Sequence, residues 1–110
     1  MEVLMSLRIY SFTIETLRIV APIIKQIGKH DADLARQLRR AASSIALNTA
    51  EGNGSSDGNA RLRFRSAHAS TQEVRACLDV AEALDYVDAV DVGLRDRFDR
   101  IAATLYRLAT

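Results

Sequence analysis

Few side chains in this sequence have the type and spacing that chemistry requires. His30, His68 and Cys77 are its only histidine and cysteine residues. A carboxylate-bridged di-iron bundle needs Glu-x-x-His on two helices, and neither Glu51 nor Glu73 has a histidine three residues later. A serine hydrolase of the elbow type needs Gly-x-Ser-x-Gly; Ser55 and Ser56 lie instead in the polar run GNGSSDG, residues 52–58. The same run fails as a phosphate cradle, because it lacks the Lys-Ser/Thr ending and no apolar strand precedes it. A single cysteine allows no intramolecular disulfide and no cysteine cage for a metal, so Cys77 reads as a small buried hydrophobe. His30 falls in an expected turn and His68 off the apolar seam, which makes both surface residues rather than ligands. The expectation is a protein that is not an enzyme, with no metal site and no cofactor.

What remains is polar and basic. Ser44, Asn48 and Glu51 are spaced by four and three residues and therefore line one stripe of a helix. Arginine supplies 13 of the 15 basic residues, and its planar fork suits phosphate. Residues 36–65 hold six arginines and carry a net charge of +4, whereas residues 79–99 carry −5. The arginines form two triplets. Arg36, Arg39 and Arg40 open one helix and Arg61, Arg63 and Arg65 the next, roughly 20 Å away by helical rise. A pI of about 7.9 is mild for a nucleic-acid binder. If RNA or DNA is a partner, contact should be to phosphates; Phe64 is the one aromatic near these arginines in sequence, so base stacking is not expected.

These residues need elements to position them, and the apolar spacing supplies helices. At 110 residues, 48% hydrophobic and 26% charged, the chain is expected to make one globular domain with a single core. Leu7, Tyr10, Ile14, Leu17, Ala21 and Ile24 recur at alternating three- and four-residue steps, predicting a first helix over 7–27. Pro22 should bend it, the competing reading being an end near Val20. Gly28 is expected to stop it through positive φ. Asp31 is placed to cap a second helix over 32–51, with a seam of Leu34, Leu38, Ala41, Ile45 and Asn48 and a stop at Gly52. A turn over 52–58 leads to a third helix over 59–84, capped by Asp57 or Asn59, with Phe64, Ala67, Thr71, Val74, Leu78 and Ala81 inside. Asp85, Tyr86 and Asp88 mark the next turn. Asp88 is then expected to cap a fourth helix over 89–108, with Leu94, Phe98, Ile101, Leu105 and Leu108 inside and Asp91, Arg95 and Asp99 on a solvated face. Gly93 is a weak point of that helix.

Four such seams joined by short connections predict an all-α, up-down-up-down antiparallel four-helix bundle. Antiparallel geometry about a turn at 52–58 pairs residues whose numbers sum to about 110. Glu51 is therefore expected near Arg61, and Glu73 near Arg36 and Arg40, since a half-buried carboxylate needs a partner. Asn48, on the seam, should bond across to the third helix or to the turn. Ile9, Ile19, Ile23, Val80 and Val92 fall outside the seams and argue for burial against a neighbouring copy. No apolar run approaches the roughly 20 residues that span a bilayer, and Glu2 and Arg8 interrupt the N-terminal stretch before a signal-peptide core forms. The expected location is cytoplasmic, with no membrane partner.

The stretch QLRRAASSIALNTAEGNG, residues 37–54, with Ala67, Ser70 and Glu73 beyond it, resembles the signature of the four helix bundle proteins related to the 23S rRNA intervening-sequence proteins. Ala69 stands where that family tends to have glycine, and Ser55 and Ser56 stand where relatives often have a basic residue. The resemblance covers about 7–108. It implies a ring-like homopentamer, with RNA, DNA or a protein such as a reverse transcriptase as partner in the branch that serves diversity-generating retroelements. It carries over structural positions only: Ser44, Ile45, Asn48, Glu51, Gly52, Ser70 and Glu73.

Overall fold

In the computed structural model, which describes residues 2–110 except for the side chain of Asp57, four helices follow one another: α1 (Glu2–Gly28), α2 (Ala32–Asn53), α3 (Asp57–Ala83) and α4 (Val92–Ala109). Each packs on its neighbours in sequence and α1 closes against α4, most sparsely of the four pairings. This is the expected up-down-up-down bundle. No strand occurs among the described residues.

Two aspartates set helix starts. Asp31 accepts the amide of Leu34 at 2.9 Å, satisfying one of the orphan N–H groups at the head of α2. Asp91, not Asp88, does the same for α4 through the amide of Leu94 at 3.2 Å, so α4 starts three residues later than expected. Gly93 belongs to that cap: a Cβ there would lie 2.8 Å from Oδ2 of Asp91. Ser56 occupies the N-cap position of α3 without a side-chain cap bond, so α3 begins before Asn59; the expected cap by Asp57 lies outside the described residues.

Helix ends also differ from expectation. Helix α1 runs through Pro22 without interruption, and both Arg18, whose carbonyl loses its partner, and Pro22 are exposed. Gly28 ends it at negative φ, and no glycine among the described residues has positive φ. The left-handed position belongs to Asp85, with φ 59°. There the amide of Tyr86 donates to the carbonyl of Ala81 at 2.9 Å and that of Asp85 to Glu82 at 3.1 Å, the paired closure of a Schellman motif. Gly52 does not stop α2, which continues to Asn53, where Gly54 takes over as C-cap. The connection to α3 is therefore shorter than the whole polar run.

The seams of α3 and α4 are as the spacing predicts: all eleven expected core residues, from Phe64 to Ala81 and from Leu94 to Leu108, are buried. Burial of Leu78, Phe98, Ile101 and Leu105 stabilises the fold by about 1.5–3 kcal/mol each. In α2, Leu34, Leu38, Ala41 and Ile45 are core, but Thr49 rather than Asn48 is buried beyond them. In α1 the buried seam is Ser6, Ile9, Thr13, Thr16, Val20 and Ile27, one residue ahead of the expected one. Ile9 is thus core rather than surplus. The inner stripe tolerates hydroxyls because Ser6 and Thr16 return their protons to the helix, to the carbonyls of Val3 at 3.0 Å and Phe12 at 2.8 Å. Periodicity fixes the spacing of a seam but cannot choose between adjacent stripes, and here the more apolar stripe is the outer one.

Candidate functional site

The motif residues converge on the α2–α3 interface. Ser70 donates its hydroxyl to Oγ of Ser44 at 2.9 Å, and the Asn48 amide donates to the same Oγ at 2.9 Å and to the Ser44 carbonyl at 3.0 Å. Within this cluster Ser44 links the two helices, while Asn48 bonds back to its own helix rather than across. Ile45 is fully buried beneath them. Gly52 has a packing role: a Cβ there would lie 2.5 Å from Cε1 of Phe64.

Charge pairing follows helix rotation more than level. Glu51 pairs with Arg63 at 3.1 Å rather than with Arg61. Arg63, Ser70 and Glu73 share the α2-facing side of α3, whereas Arg61, Arg65 and His68, spaced by four and three, share the side toward α4. The Glu51–Arg63 pair is about half exposed and is worth about 0.2–1 kcal/mol. Glu73 accepts from Nε2 of Gln37 at 3.3 Å, and Arg36 turns back to Asp33 at 2.8 Å. Arg36 and Arg40 do share an open cleft of about 400 Å³ with Ser70 and Glu73, but Glu73 makes no ion pair with either.

Of the six candidate arginines, then, Arg36 and Arg63 are paired, and Arg39, Arg40, Arg61 and Arg65 form no ion pair among the described residues. The acidic segment is engaged elsewhere. Arg95 reaches Asp79 at 2.8 Å and Glu82 at 2.7 Å, and Arg75 pairs with Asp99. The expected solvated ladder of Asp91, Arg95 and Asp99 is instead a helix cap plus two ties from α4 to α3. Glu82 also accepts the amide of Val90 at 2.5 Å. That backbone bond, with the Arg95 guanidinium second, holds its carboxyl below the usual carboxylate range.

Phe64, the aromatic nearest the arginines in sequence, is 6% exposed and offers no platform. Tyr106 does. It is 62% exposed, and its ring centroid lies 5.8 Å from that of His68 at a tilt of 57°, which places it beside the Arg61–Arg65–His68 stripe. Sequence reasoning missed it because the two residues are far apart in the chain; only the register set by Arg75–Asp99 and Asp79–Arg95 brings them level. The other histidine, His30, stacks on Tyr86 at 5.4 Å, where burial, with Asp31 second, pushes the phenol up. Cys77 is 3% exposed, and burial, with Glu73 second, pushes its thiol up.

On the first helix, the outer stripe is covered only in part. Leu4, Leu7 and Ile19 are 52%, 51% and 46% exposed, and Ile14, Leu17, Ile23 and Ile24 are half-buried. Arg97 of α4 crosses to α1, donating from Nε to Oγ1 of Thr16 at 2.8 Å with its guanidinium 3.9 Å from the centre of the Phe12 ring. No described helix is long and apolar enough to cross a membrane.

Neither the curated proteins nor the solved structures yield a match. A family model described as 23S rRNA-intervening sequence protein matches residues 5–107, which spans the four helices and the whole Ser44–Ser70–Asn48 cluster. The chain belongs to the 23S rRNA-intervening sequence protein family.

Proposed function

We propose that this protein is a non-enzymatic, self-assembling bundle that contacts nucleic-acid phosphates through arginines at one end. The observation that carries the reading is how the charges sort. Asp79, Glu82 and Asp99 of the acidic segment are tied to Arg75 and Arg95, while Arg61 and Arg65 make no ion pair with a described residue. A guanidinium left with water as its partner gains from displacing counterions on a phosphate backbone.

Self-assembly is supported by the outer stripe of α1. Leu7, Tyr10, Ile14, Leu17, Ala21 and Ile24 keep the spacing of a helix-packing seam over about 25 Å, yet the monomer covers them only in part. A second copy of the chain suits such a stripe, and a ring of five copies is the assembly we propose. Repetition of a modest basic patch around a ring raises avidity without adding interactions of a new kind.

The test is titration of labelled single- and double-stranded RNA and DNA at low and moderate salt, comparing wild type with Arg61, Arg63 and Arg65 changed together to Ala. Salt-sensitive binding that the triple change weakens supports the reading. Absence of binding at low salt would transfer the function to the apolar stripe, as a protein-interaction bundle.

A further inference from the structure

The α3–α4 flank at the head of α3 combines arginines with an exposed aromatic ring. Residues 58–72 of α3 and 100–110 at the end of α4 contain no aspartate or glutamate; of their arginines, Arg63 pairs with Glu51 of α2 and Arg100 lies over the Phe12 ring of α1, which leaves Arg61, Arg65 and Arg107 for this flank. In this acid-free region Tyr106 is exposed, although Phe98, Leu105 and Leu108 of the same helix are buried to 4% exposure or less. Its ring is braced by His68 of α3. Arg65 is one helical turn from His68 on the same stripe, and Arg107 adjoins Tyr106 in sequence. Neither arginine forms an ion pair among the described residues.

We infer that this flank is a stacking site for single-stranded nucleic acid, in which an unpaired base lies on the Tyr106 ring and the adjoining phosphates meet Arg65 and Arg107. An exposed aromatic ring with arginines on both sides presents what a single strand offers together, a π-face and a charge at each step. A duplex hides its base faces and would engage only the arginines. The ring carries no sequence code, because every base has a π-face. The inference rests on the nucleic-acid reading above and adds to it the strand form and the residue that selects it.

The experiment measures affinity for labelled oligothymidylate and for a duplex of the same length, using wild type and the variants Tyr106→Ala, Tyr106→Phe and Arg65→Ala/Arg107→Ala, with sedimentation of each. We expect Tyr106→Ala to lose about fivefold to hundredfold on the single strand, as removal of one stacked base costs, with little change on the duplex. Tyr106→Phe should keep the affinity. It should also remove the quenching of tyrosine emission that oligothymidylate produces in wild type. If Tyr106→Ala binds the single strand as wild type does while the double arginine variant is weakened, stacking is overturned and phosphate contact stands. If no form binds either probe at low salt, both readings fall. If Tyr106→Ala changes the sedimentation of the protein without nucleic acid, the flank is an interface between copies and the inference is overturned.

Discussion

Phe64 packs against the backbone of Gly52 so closely that a Cβ on Gly52 would lie 2.5 Å from its ring. Both residues are buried, so the ring cannot swing into solvent without opening the α2–α3 interface. Gly52→Ala should therefore destabilise the bundle by about 1–3 kcal/mol, the range of overpacking costs, despite alanine's better helix propensity. Phe64→Leu should make the alanine easier to accommodate, so urea denaturation of the double variant should show less loss than the sum of the singles.

The serine pair gives a second expectation. Ser44 accepts from both Ser70 and Asn48, so Ser44→Ala removes two bonds, although Asn48 keeps its bond to the Ser44 carbonyl, whereas Ser70→Ala removes only one. Ser70→Ala should cost about 0.5–1.5 kcal/mol and Ser44→Ala more. Equal losses in chemical denaturation would mean that Asn48 and Ser70 do not share Ser44 as acceptor.

The threonines of α1 separate the inner seam from the outer one. Thr13 is fully buried with Oγ1 unpartnered, whereas Thr16 is bonded to the carbonyl of Phe12 and to Arg97. Thr13→Val should raise stability by about 1 kcal/mol by removing an unsatisfied hydroxyl, and Thr16→Val should lower it. Thermal melts of the two variants are the check; movement in the same direction would contradict the seam.

Legibility in the sequence depended on what each signal measures. The seams of α3 and α4 were legible because Leu78, Phe98 and Leu105 are large and apolar and recur with their neighbours in the seam at helical spacing. The seam of α1 was not, because Ser6, Thr13 and Thr16 are as short as surface residues and the stripe one residue later is more apolar. Spacing placed Ser44, Asn48 and Glu51 on one stripe of α2, and the resemblance supplied Ser70 and Glu73 of α3 together with the family. Spacing could not choose Arg63 over Arg61, since level and rotation are separate variables and only level follows from counting. Gly52 read as a stop because a glycine kept for a neighbour's ring looks no different in one dimension. Tyr106 had no local signal at all.

Acid should loosen the α3–α4 connection. The Glu82 carboxyl is held below its usual range by the Val90 amide and then by Arg95, so its contribution is present above the unfolded-state value and is lost as pH falls through the lowered folded-state value. Glu82→Gln should be less stable than wild type at neutral pH. The difference should shrink as pH falls through that window, as followed by denaturant midpoints. A difference that stays constant or grows on acidification would mean that the Glu82 carboxylate does not hold this connection.

Whether arginines at the basic end meet phosphate is read most directly from the salt dependence of binding to oligothymidylate, for wild type and for Arg65→Ala/Arg107→Ala. Wild type should bind more weakly as salt rises, in a linear log–log relation. The variant should show a shallower slope, by about 0.7 for each phosphate that an arginine no longer neutralises. A slope equal to that of wild type, or no binding by wild type at low salt, would contradict phosphate recognition by these arginines.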